Sequence, residues 1–239
     1  MFVRKPLIKR FIVAVFLAAI SFVAFAQTEA PPPVEKINVF AIVSENIENA
    51  FKVAANALKT EQGIDSFPQQ GFQVHCTLYL TQYPTGMKEK VLGKIEEIAS
   101  NTRQFDVSTT GLEITSGNWF FMNLERNRNL QTLSDTVVAA LSPLRSQSDF
   151  VPEWAKAFPN KLDYIKKYGS PNVYKEFNPH LTFLARAELE KLQNFMENHE
   201  ESDFAKPVAG KIIAIGAAIA DRSGQIPEVW QIFKLQPPE

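Results

Sequence analysis

The sequence is poor in the residues that would staple it or load it with metal. Its 239 residues include one cysteine, Cys76, so no disulfide can form within the chain and a disulfide scaffold is excluded. Histidine is almost as scarce, with three in all. Neither His75 nor His180 has a second histidine or a carboxylate inside its own motif, which makes a poor zinc set, and no metal or cofactor is expected. Basic residues are not gathered either: beyond Lys161, Lys166 and Lys167 there is no Lys/Arg cluster, so the basic stripe of a duplex-binding protein is missing. No repeat of solenoid period is visible. What is present is an ordinary globular balance, 45% hydrophobic and 21% charged, enough for one sizeable core or two small lobes.

The one long apolar run lies at the start. Arg4, Lys5, Lys9 and Arg10 precede Phe11 to Phe25, and Ala24-Phe25-Ala26 offers small residues where a signal peptidase reads them. The run is shorter than the roughly 20 residues a spanning helix needs. Residues 1–26 are therefore read as a signal peptide, and the chain as exported, either periplasmic or secreted. Its removal takes four of the 25 basic residues and none of the 26 acidic ones, leaving 21 against 26 and a charge near −5. Such a domain suits a small nucleotide or an RNA end as partner, without duplex nucleic acid or stable membrane association, and is expected to be a monomer. Residues 27–35, with Pro31-Pro32-Pro33, read as an extended linker ahead of a domain spanning 36–237.

Within that domain, apolar β-branched and aromatic runs mark strands at Ile37–Val43, Phe72–Leu80, Gln104–Ser108, Leu112–Thr115, Trp119–Leu124 and His180–Ala185. A closing hairpin of Gly210–Ile219 and Val229–Leu235 is expected around Ser223-Gly224. Helical spacing appears in Ile47, Phe51, Ala54, Ala55 and Leu58, again in Val91, Leu92, Ile95 and Ile98, then over Leu130–Leu144 and Glu188–Asn198. Residues 146–178 are irregular and aromatic, with a short helix around Lys161–Tyr168. The order gives an α+β domain of two related halves.

Two of the three histidines share a context: Val74-His75-Cys76-Thr77-Leu78-Tyr79-Leu80 and Pro179-His180-Leu181-Thr182-Phe183-Leu184. Each is His-x-Thr in an apolar strand. Alternation along a strand puts His75, Thr77 and Tyr79 on one face and Cys76, Leu78 and Leu80 on the other, and likewise joins His180 to Thr182. Cys76 is then a small core residue. Imidazole titrates near ambient pH, so two of them can divide the work of removing a proton from an attacking oxygen and protonating a leaving one. The threonine hydroxyls can donate to the phosphate oxygens as charge grows there. Against this stands the plainer reading that a histidine on a strand is a satisfied structural residue beside a good strand former; the pairing of the motifs outweighs it. Tyr174 and Phe177, just before His180, are candidates for stacking on a base. His199, in a polar helical context, reads as solvated surface.

The paired motifs, the Phe177–Thr182 context and the element order resemble the 2H phosphoesterase superfamily, which includes the LigT-like RNA 2',3'-cyclic phosphodiesterases, also called 2'-5' RNA ligases. The resemblance spans roughly residues 36–237. It implies a bilobal LigT-like fold, two antiparallel sheets with flanking helices and a central cleft, in which His75 and His180 form the catalytic pair. Thr77 and Thr182 would hold the phosphate, Tyr79, Tyr174 and Phe177 would line the substrate site, and Arg186 would match a basic residue of similar proteins. The implied activity is metal-independent hydrolysis of cyclic 2',3'-type or 2'-5' phosphodiesters. The alternative is a catalytically silent exported module that binds the same nucleotides or RNA ends.

Overall fold

The structure, a computed structural model, describes residues 33–147, 151 and 153–238. The expected signal peptide and most of the expected linker lie outside the described residues. Pro33 accepts hydrogen bonds from Thr85 through its carbonyl, and the next residue already belongs to strand β1, Val34–Val43. Val34 and Glu35, read as linker from the sequence, are thus sheet residues. The proline run had hidden their pairing, which is made with Pro84 and Tyr83 far along the chain.

β1 is followed by helix α1, Glu45–Gln62, whose buried residues are the five that the spacing marked, and it ends at Gly63. Then come β2, Cys76–Pro84, and α2, Lys88–Ser100. The two short strands expected at 104–115 are one strand, β3, Phe105–Ile114, with a register shift between Thr109 and Gly111 that interrupts the alternation without breaking the ladder. β4 is Phe120–Leu124, and α3 is Arg128–Leu141, capped by the Asn127 side chain accepting from the Leu130 amide. The irregular stretch holds α4, Pro159–Tyr168. β5, His180–Leu184, α5, Leu189–Asn198, β6, Ala209–Ile219, and β7, Gln231–Lys234, complete the domain.

All strand pairs are antiparallel. The strand order is β1-β2-β5-β4-β3-β6-β7, and β6 also pairs with β1. Two antiparallel halves, β2-β1-β6-β7 and β3-β4-β5, are therefore hydrogen-bonded to each other at both seams: β2 meets β5 through Cys76 and Leu181, and β3 meets β6 over Phe105–Ser108. The halves do not follow chain order, because β6 from the end of the chain lies between β1 and β3.

One face of this sheet carries the main core. In β1 it takes Ile37, Val39, Ala41 and Val43, in β4 Phe120, Met122 and Leu124, and in β5 Leu181 and Phe183. Phe51 of α1 stacks on Phe183, Phe183 on Phe120, and Phe120 meets Phe195 of α5 edge-on. The opposite face of β1 presents Asn38 and Phe40. There a small second cluster of Phe40, Ala218 and Ile226 forms under the loop that follows β6. Gly216 makes this possible, since a Cβ on it would lie 2.7 Å from the Phe40 ring.

Candidate functional site

The middle residues of the two His-x-Thr motifs are direct partners across the β2–β5 seam, Cys76 opposite Leu181. Both are fully buried in the core, so the flanking residues must turn to the other face. Because the strands run in opposite directions, the pairing also brings His75 alongside Thr182 and Thr77 alongside His180. The two motifs cross in a pseudo-twofold arrangement on one face of one sheet. Thr77, His180 and Thr182 are half-buried there, within reach of a ligand.

The two rings are held alike. His75 Nδ1 lies 2.8 Å from the Gln73 carbonyl, and His180 Nδ1 lies 2.8 Å from the Asn178 carbonyl, each two residues upstream. A carbonyl only accepts, so Nδ1 carries the hydrogen and Nε2 of each neutral ring is left as a lone pair. Burial lowers the pKa of both rings to about 4, against smaller raising effects from those carbonyls. His75 also feels the other motif, since His180 lowers its pKa. A bound phosphate would raise both, since its negative charge favours the imidazolium.

The 2'-5' RNA ligase superfamily model fits residues 47–217, a span that contains both motifs. This chain belongs to that family, within the 2H phosphoesterases. Solved structures similar to it include TT0787 of Thermus thermophilus, at 16% identity over 85% of this chain and 100% of that one, with a TM-score of 0.48. Escherichia coli LigT in its apo form matches at 12% identity over 85% and 98% with 0.47, and Usb1 of Kluyveromyces marxianus at 10% over 84% and 97% with 0.41. No curated protein matches the chain.

Membership of the 2H phosphoesterases does not make the surroundings of the two histidines equal. His75 is 6% exposed and meets Phe40 edge-on, with Nε2 3.2 Å from the Asn38 amide nitrogen. His180 lies flat on Phe121, centroids 3.8 Å apart, and its cross-strand partner is Asn123. Asn123 in turn donates to Glu113 Oε2 at 2.6 Å. The Glu113 carboxylate raises the His180 pKa and the Lys161 ammonium lowers it, so both charges lie near this ring.

Four expected site residues are placed elsewhere. Tyr79 is 1% exposed in the core, where its hydroxyl donates to the Tyr168 carbonyl and burial pushes its pKa up. The cause is a bulge: Val39 pairs with Tyr79 and Phe40 with Thr77, leaving Leu78 unmatched, which flips the alternation after Thr77. Leu80, opposite Asn38, takes the face that Tyr79 was assigned. Phe177 is 3% exposed and joins the core. Tyr174, with a φ of 53°, packs its ring on Tyr168, while its carbonyl accepts from Arg126 and Gln131 near α3. Arg186 is exposed beyond the far end of β5, away from His180 at that strand's start.

Asn38, Glu113, Phe121 and Asn123 escaped the sequence reading. A signal existed for two of them: Asn38 and Asn123 are single amides inside apolar strands, where a polar side chain needs a reason. His199, read as solvated surface, is half-buried against Phe195 and Phe204 and bonds Glu61 of α1 at 2.7 Å. Cys76 is a buried core residue whose thiol pKa burial pushes up to about 12, so it stays protonated. Among the described residues no three His, Cys, Asp or Glu side chains converge as metal ligands. A surface pocket lined by Lys94, Asn101, Gln104, Asn129 and Thr136 contains none of the motif residues.

Proposed function

We propose that this chain is an exported phosphodiesterase that opens cyclic 2',3'-type or 2'-5' phosphodiesters of nucleotides or RNA ends by acid–base catalysis with His75 and His180. The observation that carries this reading is the pairing of Cys76 with Leu181, which sets two hydrogen-free Nε2 atoms and two threonine hydroxyls on one face. Water attacks phosphorus while one imidazole Nε2 accepts its proton. The bond from phosphorus to the leaving ribose oxygen breaks as the second ring, carrying a proton on Nε2, delivers it to that oxygen. Thr77 and Thr182 donate to the non-bridging oxygens, whose charge grows in the transition state. The acidic balance left by signal removal and the absence of a wide Lys/Arg cluster support a small nucleotide or RNA end over duplex. Export rests on the charged and apolar pattern of residues 1–26.

The test is incubation of the purified protein with a panel of 2',3'-cyclic and 2'-5'-linked nucleotides in the presence of EDTA, with products identified by mass and phosphate position. Turnover that survives the chelator and falls about 10²–10⁴-fold in His75→Ala and in His180→Ala is expected. Ligand-dependent thermal stabilisation without product would instead indicate a binding module. Full activity in either histidine variant would end the two-histidine reading.

A further inference from the structure

The deepest polar group on the motif face is not a histidine. Asn38 is 0% exposed, in the middle of β1, and its amide nitrogen meets three acceptors: the Gly224 carbonyl at 2.9 Å, Thr77 Oγ1 at 2.9 Å and His75 Nε2 at 3.2 Å. We propose that Asn38 is a positioning residue for the reaction: oriented by the Gly224 carbonyl, its amide keeps His75 as the proton acceptor and turns the Thr77 hydroxyl hydrogen outward for a phosphate oxygen. This rests on the phosphodiesterase reading for its chemistry, and on geometry alone for the orientation.

An amide nitrogen has two hydrogens for these three contacts. The two shorter ones, to Gly224 and Thr77, take them, and the longer contact leaves the His75 lone pair only grazed. Nε2 is therefore open to a proton from substrate. The positive edge of the amide nonetheless opposes a resting proton there. Because Thr77 Oγ1 accepts from Asn38, its own hydrogen must point to another acceptor. Among the described residues it has none, so a phosphate oxygen would be the first.

The amide cannot turn over. Rotating it would set Oδ1 against the Gly224 carbonyl, two acceptors face to face, and the present orientation is kept although it leaves Oδ1 buried without a donor. The loop that presents Gly224 is itself built for the purpose. Asp221 Oδ1 accepts from the amides of Ser223 and Gln225 at 2.8 and 2.7 Å, Gly224 adopts a φ of 82°, and Lys36 ties down the carbonyls of Asp221 and Arg222. A Cβ at 224 would be strained there and would also press on Leu80 at 3.0 Å. The titratable groups that face His75 are His180 from β5 and Asp221 from this loop.

The experiment is a ¹⁵N-imidazole NMR titration of the full chain, with kcat and KM measured over pH, for wild type, Asn38→Ala, Asn38→Ser and the double variant Asn38→Ala/Thr77→Val. Wild-type His75 should show the Nδ1–H tautomer. In Asn38→Ala its midpoint should rise while that of His180 stays, and kcat should fall at least tenfold with KM within about threefold. Asn38→Ser, which restores one donor, should recover part of both. The loss from Asn38→Ala should shrink in the Thr77→Val background, because the amide acts through that hydroxyl. An unmoved His75 midpoint in Asn38→Ala and Asn38→Ser, or additive losses in the double variant, would overturn the proposal. The titration reads Asn38 even if no substrate is turned over, so its outcome is separate from that of the phosphodiesterase reading.

Discussion

The two halves of the motif face carry the same three-residue signature and the same upstream carbonyl on Nδ1, yet they differ in everything else that touches the rings. His75 is enclosed, with the Asn38 amide nitrogen 3.2 Å from its Nε2 and Phe40 edge-on. His180 lies flat on Phe121 and has a carboxylate and an ammonium nearby. Backbone symmetry thus supplies two equivalent imidazoles, and the neighbouring strands make them unequal. That is what an acid–base pair needs, because one ring must begin bare and the other must begin protonated.

The largest break in this comparison should come from the threonines. Thr77 is already oriented by Asn38, whereas no such partner is found for Thr182 among the described residues, and a preorganised donor contributes more than one that must be ordered during reaction. Thr77→Val is expected to lower kcat about 10²-fold and Thr182→Val distinctly less, measured by steady-state kinetics on whichever substrate the panel identifies. Equal losses would mean that the amide confers no advantage.

A smaller effect concerns stability. Both rings have folded-state pKa values of about 4 against 6.5 when exposed. Between those values the unfolded chain binds protons that the folded chain does not, so stability is intact above about pH 6.5 and is lost as pH falls toward 4. Thermal melts across this window should show a declining Tm, flattened by His75→Asn and by His180→Asn alike, since both rings are lowered to about 4. A Tm independent of pH in that range would contradict the burial of the rings.

The smallest predicted effect is local. Glu113→Gln removes the charge that favours the imidazolium of His180, so the His180 midpoint should fall by a few tenths of a pH unit, as a partly solvated charge allows, while His75 keeps its own. NMR titration of both rings reads this directly, and equal movement of both would deny the assignment of Glu113 to one half.

Much of the fold was legible because it rests on local periodicity. The apolar stripes of α1, α2 and α3 are the buried faces that their spacing indicated. The His-x-Thr alternation correctly separated His75 and Thr77 from Cys76. It failed two residues later, at Tyr79, since a bulge depends on the partner strand and leaves no mark in β2 itself. Aromatic character misled at Phe177, where a ring that could stack on a base instead fills the core. Composition gave no hint that β6 would pair with both β1 and β3, because that choice joins residues more than a hundred positions apart.

Sequence alone determined that there are two imidazoles, each with a hydroxyl two residues on, and which side of each strand they leave by, since alternation is a property of the chain's own geometry. Tertiary structure decided that the motifs lie side by side, that Asn38 meets one ring while Glu113 lies near the other, and that Tyr79 is withdrawn. Those outcomes depend on register between strands distant in the chain, and register is set by the packing of the whole sheet.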